Sequence, residues 1–250
     1  MRSTTITKTL LYLSGIGFIF FLYFIIVISN NNSFIYPEFN KIWNALSDIV
    51  INNTFLNCFG MSILRVLISI GITFIISIII SFIYILIPSS LYFFKPLIVV
   101  LKASPLAVLS IYLFIGVGSE KAPYIITILM TLPICIEGFI SSINNIDKNY
   151  IYQLKTESVP KIIKFFKVYI PLIFPYIIMC LLQTFGLGVK VMIMGEYLCQ
   201  TSNSLGEVIY LYKTTYSFDY LLSILIIIVV FVLLIEGIIK LISDKIIKTR

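Results

Sequence analysis

The sequence predicts an all-α polytopic membrane protein of about six transmembrane helices, with a cytoplasmic helical hairpin between spans 4 and 5. Three observations carry this reading. The 250 residues are 60% hydrophobic and 12% charged, with a mean hydropathy of +1.07, whereas soluble domains are about a quarter charged. The apolar residues are gathered in runs long enough to cross about 30 Å of hydrocarbon as helix. Runs such as Ile75 to Ile80 and Ile224 to Ile235 do not alternate apolar with polar residues, unlike the strands of a membrane β-barrel.

The elements follow in order. Arg2 and Lys8 precede an uncharged span 1, about 10–29. It is longer than the apolar core of a cleavable signal and has no small-x-small site after it, so it is read as a retained helix. The segment 30–53 is polar, with Pro37 and the lone Trp43, and suits a short interfacial helix with the indole at headgroup level. Span 2 falls within 55–87, long enough to tilt or to project from the bilayer. Span 3 is about 96–116, closed by Gly116-Val117-Gly118, and span 4 about 122–141. Span 5, about 170–198, carries Pro171 and Pro175 in its first turns, where a missing N–H is tolerated. Span 6 is about 218–242. The chain reads as one permeation-type domain over 1–250: first span and outer segment at 1–53, a five-helix core at 54–242, and a loop at 144–168 within it. No repeat or low-complexity linker interrupts it.

Six spans place both termini on one side. With the N-terminus cytoplasmic, the cytoplasmic segments hold twelve basic residues: Arg2, Lys8, Lys95, Lys148, Lys155, Lys161, Lys164, Lys167, Lys240, Lys245, Lys248 and Arg250. The outer segments hold three, Lys41, Lys121 and Lys213. This asymmetry predicts a multi-pass protein of the plasma (inner) membrane with both termini and the basic loop in the cytoplasm. The net charge of +7 is therefore topological and membrane-directed, with no nucleic-acid partner implied.

The loop has its own pattern. Asp147 suits an N-cap, and Tyr150, Ile151 and Leu154 then share a face. Glu157-Ser158-Val159-Pro160 breaks that helix and starts another, with Ser158 or Val159 at the cap and Pro160 in the first turn. In the second helix Ile162, Phe165, Phe166 and Tyr169 share one arc, and Lys161, Lys164 and Lys167 the other. The result is a hairpin with an apolar underside and a cationic outer surface.

This region resembles the cytoplasmic "EAA" loop of permease subunits of binding-protein-dependent ABC importers. The family's Glu-Ala-Ala falls on Tyr152-Gln153-Leu154, its Gly on Ser158, its aliphatic on Val168 and its Leu-Pro on Ile170-Pro171. The spacing fits, while the Glu-Ala-Ala identities and the Gly are absent. Further stretches resemble the nitrate/sulfonate/taurine-type branch. They are Ser62-Ile63-Leu64-Arg65, Lys95-Pro96-Leu97, Lys102-Ala103-Ser104-Pro105, Gly116-Val117-Gly118, Pro171 to Tyr176, Gly195-Glu196 and Ser204-Leu205-Gly206, in order over about 50–242. The resemblance implies a second permease copy, identical or a sister, and ATP-binding-cassette ATPase subunits. It also implies an extracytoplasmic substrate-binding protein. The ATPase-coupling tip is then Tyr152, Gln153, Leu154, Lys155, Ser158, Val159 and Pro160. The cargo implied is a small nutrient, an anion such as sulfonate or nitrate or a heterocyclic vitamin precursor.

Arg65, Lys102, Glu137, Lys190, Glu196 and Glu236 lie in or near spans, where an ionisable group costs at least about 2.5 kcal/mol at the bilayer centre. Lys190 and Glu196 are six apart, nearly opposite on a helix, so they do not pair. Both are candidates for the translocation pathway, Lys190 as a mid-span cation suited to an anionic substrate. The competing reading pairs Lys190 with Glu137 or another acid as structural glue, and Arg65 and Glu236 read as snorkelling or structural ion pairs.

Histidine is absent, which excludes Ser-His-Asp catalysis and His-ligated metals in this chain. Cys58, Cys135, Cys180 and Cys199 form no Cys-x-x-Cys pair and read as apolar filler. No phosphate-binding Gly-x4-Gly-Lys-Ser/Thr loop occurs. The chain is thus not read as an enzyme and needs no cofactor or metal; any ATP hydrolysis belongs to a partner. A self-sufficient secondary transporter or channel is the alternative, and it lacks the paired repeats expected of one.

Overall fold

The computed structural model describes residues 35–146 and 160–248 and scattered positions between 7 and 29. Eight labelled helices follow in order: α1 Phe39–Ile51, α2 Asn53–Leu86, α3 Ser90–Ala103, α4 Leu106–Val117, α5 Ala122–Asn144, α6 Lys161–Cys199, α7 Leu205–Thr214 and α8 Phe218–Lys248. Every described position from Thr7 to Ser29 is also helical. Among the described residues, α2, α5, α6 and α8 are each long and apolar enough to cross a membrane. The bent pair α3–α4 makes a fifth crossing if counted as one. Twelve of the twenty positions of the expected span 1 are described, and all twelve are helical. The protein is a polytopic all-α membrane protein, because a backbone in lipid must satisfy its own hydrogen bonds.

The chain divides into two compact units, 1–52 with 211–227, and 53–210 with 228–250. In the first, Ile42, Ala45 and Ile49 form the buried stripe of α1. Ser223 Oγ donates to the Ile42 carbonyl at 3.0 Å and the Tyr220 hydroxyl donates to Asp48 Oδ2 at 3.1 Å.

In the second unit α2, α5 and α6 pack closely. The buried face of α2 is lined by Ser62, Ser69, Thr73, Ser77 and Ser81, all at 0% exposure. Small side chains let helix backbones approach, the main source of helix association in lipid. Thr73 and Thr131 hydroxyls meet at 3.0 Å, and Cys135 Sγ meets Thr184 Oγ1 at 3.1 Å. Phe139 of α5 sets its ring edge-on to Phe74 of α2, centroids 5.7 Å apart. The α8 residues Ile228, Phe231, Val232 and Ile235 pack against the Val66, Ile70, Phe185, Val189 and Met192 cluster.

Three details differ from the sequence reading. Span 3 is not straight: α3 and α4 meet at 101° across Ser104-Pro105. Pro105 forces the preceding residue out of the helical region, and Ser104 has φ −69°, ψ 123°. Span 5 starts nine residues early. The helix runs from Lys161 through a π-helical turn, Phe165–Tyr169, so Pro171 and Pro175 lie inside it. The Ile170 N–H reaches back to the Phe165 carbonyl, a wider turn that adjusts the backbone just ahead of the first proline. That turn also rotates the arc expected to be apolar-inward. Phe165 is buried against Phe82, with centroids 5.0 Å apart, while Ile162 and Phe166 are exposed. Third, Pro160 is the N-cap of α6 rather than a first-turn residue, and its carbonyl accepts the Lys164 N–H at 3.1 Å. The tip residues Tyr152, Gln153, Leu154, Lys155, Ser158 and Val159 lie outside the described residues.

Candidate functional site

Two groups of charged side chains stand out, both within the second unit. The first is buried at the bundle end where α6 finishes. Glu196, near the C-terminus of α6, is fully enclosed. Its carboxylate accepts from Ser62 Oγ at 2.7 Å and Arg65 Nη1 at 3.1 Å, both on α2, and from the Gly206 N–H at 3.4 Å. Arg65, 3% exposed, spends its remaining donors on the chain after α6: the carbonyls of Asn203 at 3.0 Å and Ser202 at 3.1 Å. It also reaches Glu120 Oε2 at 3.4 Å. Glu120 in turn accepts from the Ser202 hydroxyl at 2.7 Å. A buried guanidinium and carboxylate persist only when geometry and extra hydrogen bonds satisfy both, and these do.

Local chemistry builds the receiving turn. Gln200 and Asn203 take left-handed conformations, φ 50° and 48°, and the Thr201 N–H closes back onto the Glu196 carbonyl at 3.0 Å, a C-capping arrangement. Ser204 then caps α7, its Oγ accepting the Glu207 N–H at 3.0 Å, while the Glu207 carboxylate accepts the Asn203 N–H at 2.6 Å. This is a capping box displaced by one residue. Gly206 lies so close to α6 that a Cβ would stand 2.3 Å from the Tyr197 nitrogen. Ser62 to Arg65 of α2 thus form one clasp with Glu196 and the nearby Ser204 to Gly206, with 131 residues of sequence separating Arg65 from Glu196.

The second group lies open. Lys102, in the last turn of α3 before the break, pairs with Glu137 of α5, and both side chains are about half exposed, 47% and 49%. On α5, Glu137, Ser141 and Asn144 share an exposed stripe. On α6, Leu172, Tyr176, Met179, Gln183, Lys190 and Met194 share another. Phe185, Val189 and Met192, which face α2, lie on the other side of α6. Gly138 packs on Cys180, where a Cβ would meet its sulfur at 3.0 Å, so the α5 and α6 stripes flank this contact on the side away from α2. Lys190 is therefore an exposed cation on a spanning helix, whereas Glu196 is enclosed by its own partners. Sequence reasoning did not pair Arg65 with Glu196, and it offered Lys190 rather than Lys102 as the partner of Glu137, because each pair joins different helices. No group of three or more metal-ligating side chains is found among the described residues.

A polytopic helical bundle with a buried polar clasp, an open charged stripe and a basic loop matches one family model, that of the binding-protein-dependent transport system inner membrane component, over residues 89–248. The chain belongs to this family. It is a transport-system permease, a membrane component rather than an enzyme. Among solved structures, a chain of the MetNI methionine ABC transporter, crystallised in inward-facing conformations, superposes with a TM-score of 0.58. The superposition covers 84% of this chain and 94% of that one, at 15% identity. At that identity the likeness is one of fold. Comparison with curated protein sequences gives no match. Permeases of this family are parts of binding-protein-dependent importers, so ATPase and substrate-binding partners are implied in general terms.

Proposed function

We propose that the chain forms the translocation pathway of an ATP-binding-cassette importer and couples to separate ATPase subunits through the loop at 144–168. The observation that carries this is the family match together with the unbroken helix from Lys161 to Cys199. A force applied at the loop enters the bundle through one rigid element whose far end holds Glu196 in the clasp. Tyr152, Gln153, Leu154, Lys155, Ser158, Val159 and Pro160 form the coupling tip in this reading. A second permease copy, identical or a sister, faces the first, and an extracytoplasmic binding protein delivers the cargo. Both termini are cytoplasmic, in the plasma (inner) membrane.

The pathway is assigned to the open stripes of α5 and α6. Charged groups half exposed on a spanning helix are costly against lipid, so water, substrate or a second permease must meet Lys102, Glu137 and Lys190. Glu196, enclosed by Ser62 and Arg65, is assigned to the clasp rather than to the pathway. The cation Lys190 and the motif stretches of the nitrate/sulfonate/taurine-type branch favour a small anion over a heterocyclic vitamin precursor. The test is uptake into proteoliposomes. The chain assembled with its ATPase should accumulate substrate only with ATP, and the chain alone should be inert. Uptake by the chain alone, driven by an ion gradient, would replace this reading with a secondary transporter.

A further inference from the structure

We propose that α1 is an interfacial anchor whose stripe Phe39, Trp43, Leu46 and Val50 inserts at the boundary between phospholipid headgroups and acyl chains. These four residues follow at i, i+4, i+7 and i+11, one narrow line along the helix. Trp43 is 71% exposed, Val50 50% and Phe39 45%. The line is separate from the buried stripe Ile42, Ala45 and Ile49, and the remaining surface carries Asn40, Lys41, Asn44, Ser47 and Asp48, with Ile51 at its last position. The helix therefore has one face for protein, one for water and one exposed apolar face between them.

Contacts within the first unit fix where that face lies. Ile42 and Asp48 are held by Ser223 and Tyr220, in the first turns of the apolar span Phe218–Ile242. At the start of α1, the Tyr23 hydroxyl donates to the Pro37 carbonyl at 2.8 Å and its ring stands edge-on to Phe39, centroids 5.4 Å apart. Tyr23 belongs to the expected span 1, six residues before its end. An element tied to the end of one span and the beginning of another lies at a membrane surface. Tyr212 and Tyr220 stack there at 4.8 Å and Tyr216 is exposed, the residue type enriched at headgroup level. Glu38, Lys41 and Asp48 give α1 no positive excess, so apolar insertion rather than attraction to anionic lipid holds it.

Trp43 is the sole tryptophan in the chain, so the unaltered protein reports on the stripe. The full chain is reconstituted into phosphatidylcholine vesicles brominated either near the headgroup end or near the terminus of the acyl chains, and Trp43 fluorescence is measured with and without aqueous iodide. An interfacial helix buries its apolar face about 5–10 Å deep. Shallow bromines should quench at least about twice as strongly as deep ones, with little effect of iodide. Free quenching by iodide without a bromine effect would place the stripe in water. Quenching by neither would mean that protein, such as a second copy, covers it. Stronger deep quenching would make α1 part of a span. Each of these three results overturns the proposal.

Discussion

Arg65 Nη1 stands 3.1 Å from Glu196 Oε1, joining α2 to the end of α6 across 131 residues of sequence. Both side chains are almost wholly buried, so neither charge has water to fall back on. Arg65→Ala should destabilise the fold by about 3–5 kcal/mol, with a lower folded yield and thermal midpoint, because it strands a buried carboxylate. The double change Arg65→Met with Glu196→Met should recover much of that loss. Midpoints measured in the same detergent by thermal aggregation decide the matter. A mild Arg65→Ala would mean the clasp is not closed in the membrane.

Gly206 is needed for closeness rather than for an unusual backbone. A Cβ there would meet the Tyr197 nitrogen at 2.3 Å and the Glu196 carbonyl carbon at 2.4 Å, and backbone atoms cannot rotate away. Gly206→Ala should cost roughly 2 kcal/mol or more. Gly60 and Gly71 have open space around them, so Gly71→Ala is the control and should be near neutral. Equal midpoints for the two variants would contradict this packing.

The Lys102–Glu137 pair is half exposed, and such pairs contribute about 0–1 kcal/mol to stability. Lys102→Ala and Glu137→Ala should therefore leave the thermal midpoint nearly unchanged while altering uptake kinetics. The exchange Lys102→Glu with Glu137→Lys should restore part of the uptake if their mutual attraction is what matters. Large losses of folded protein in the single variants would reassign the pair to structure.

Lys190 stands on the exposed α6 stripe with Gln183. Lys190→Ala should weaken uptake of an anionic substrate at least about tenfold, the scale of one charged hydrogen bond lost, whereas Lys190→Arg should retain most of it. Unchanged kinetics in the alanine variant would remove Lys190 from the pathway.

The spans α2, α5, α6 and α8 were legible because lipid imposes one demand, a continuous apolar helix, and sequence records it directly. The break between α3 and α4 was not, since Pro96 to Gly116 reads as one apolar run. The extended backbone that Pro105 imposes on Ser104 was the available signal. Helix α7 was missed although Ser204 and Glu207 stand at capping-box spacing. Helical spacing correctly separated Lys190 from Glu196. It could not find Arg65, because a partner on another helix is fixed by packing and leaves no periodic trace. The early start of α6 was hidden by the basic loop and by prolines that ordinarily mark a first turn.

Recovery of partners from the membrane tests the central claim most directly. The tagged full chain is extracted in mild detergent and the co-purifying proteins are identified by mass spectrometry, beside Leu154→Asp and Val159→Asp variants. An ATPase with a Gly-x4-Gly-Lys-Ser/Thr loop should accompany the wild type and be lost from the variants, which still reach the membrane. A stable chain recovered without any ATPase, or an ATPase retained equally by the loop variants, would contradict the coupling account.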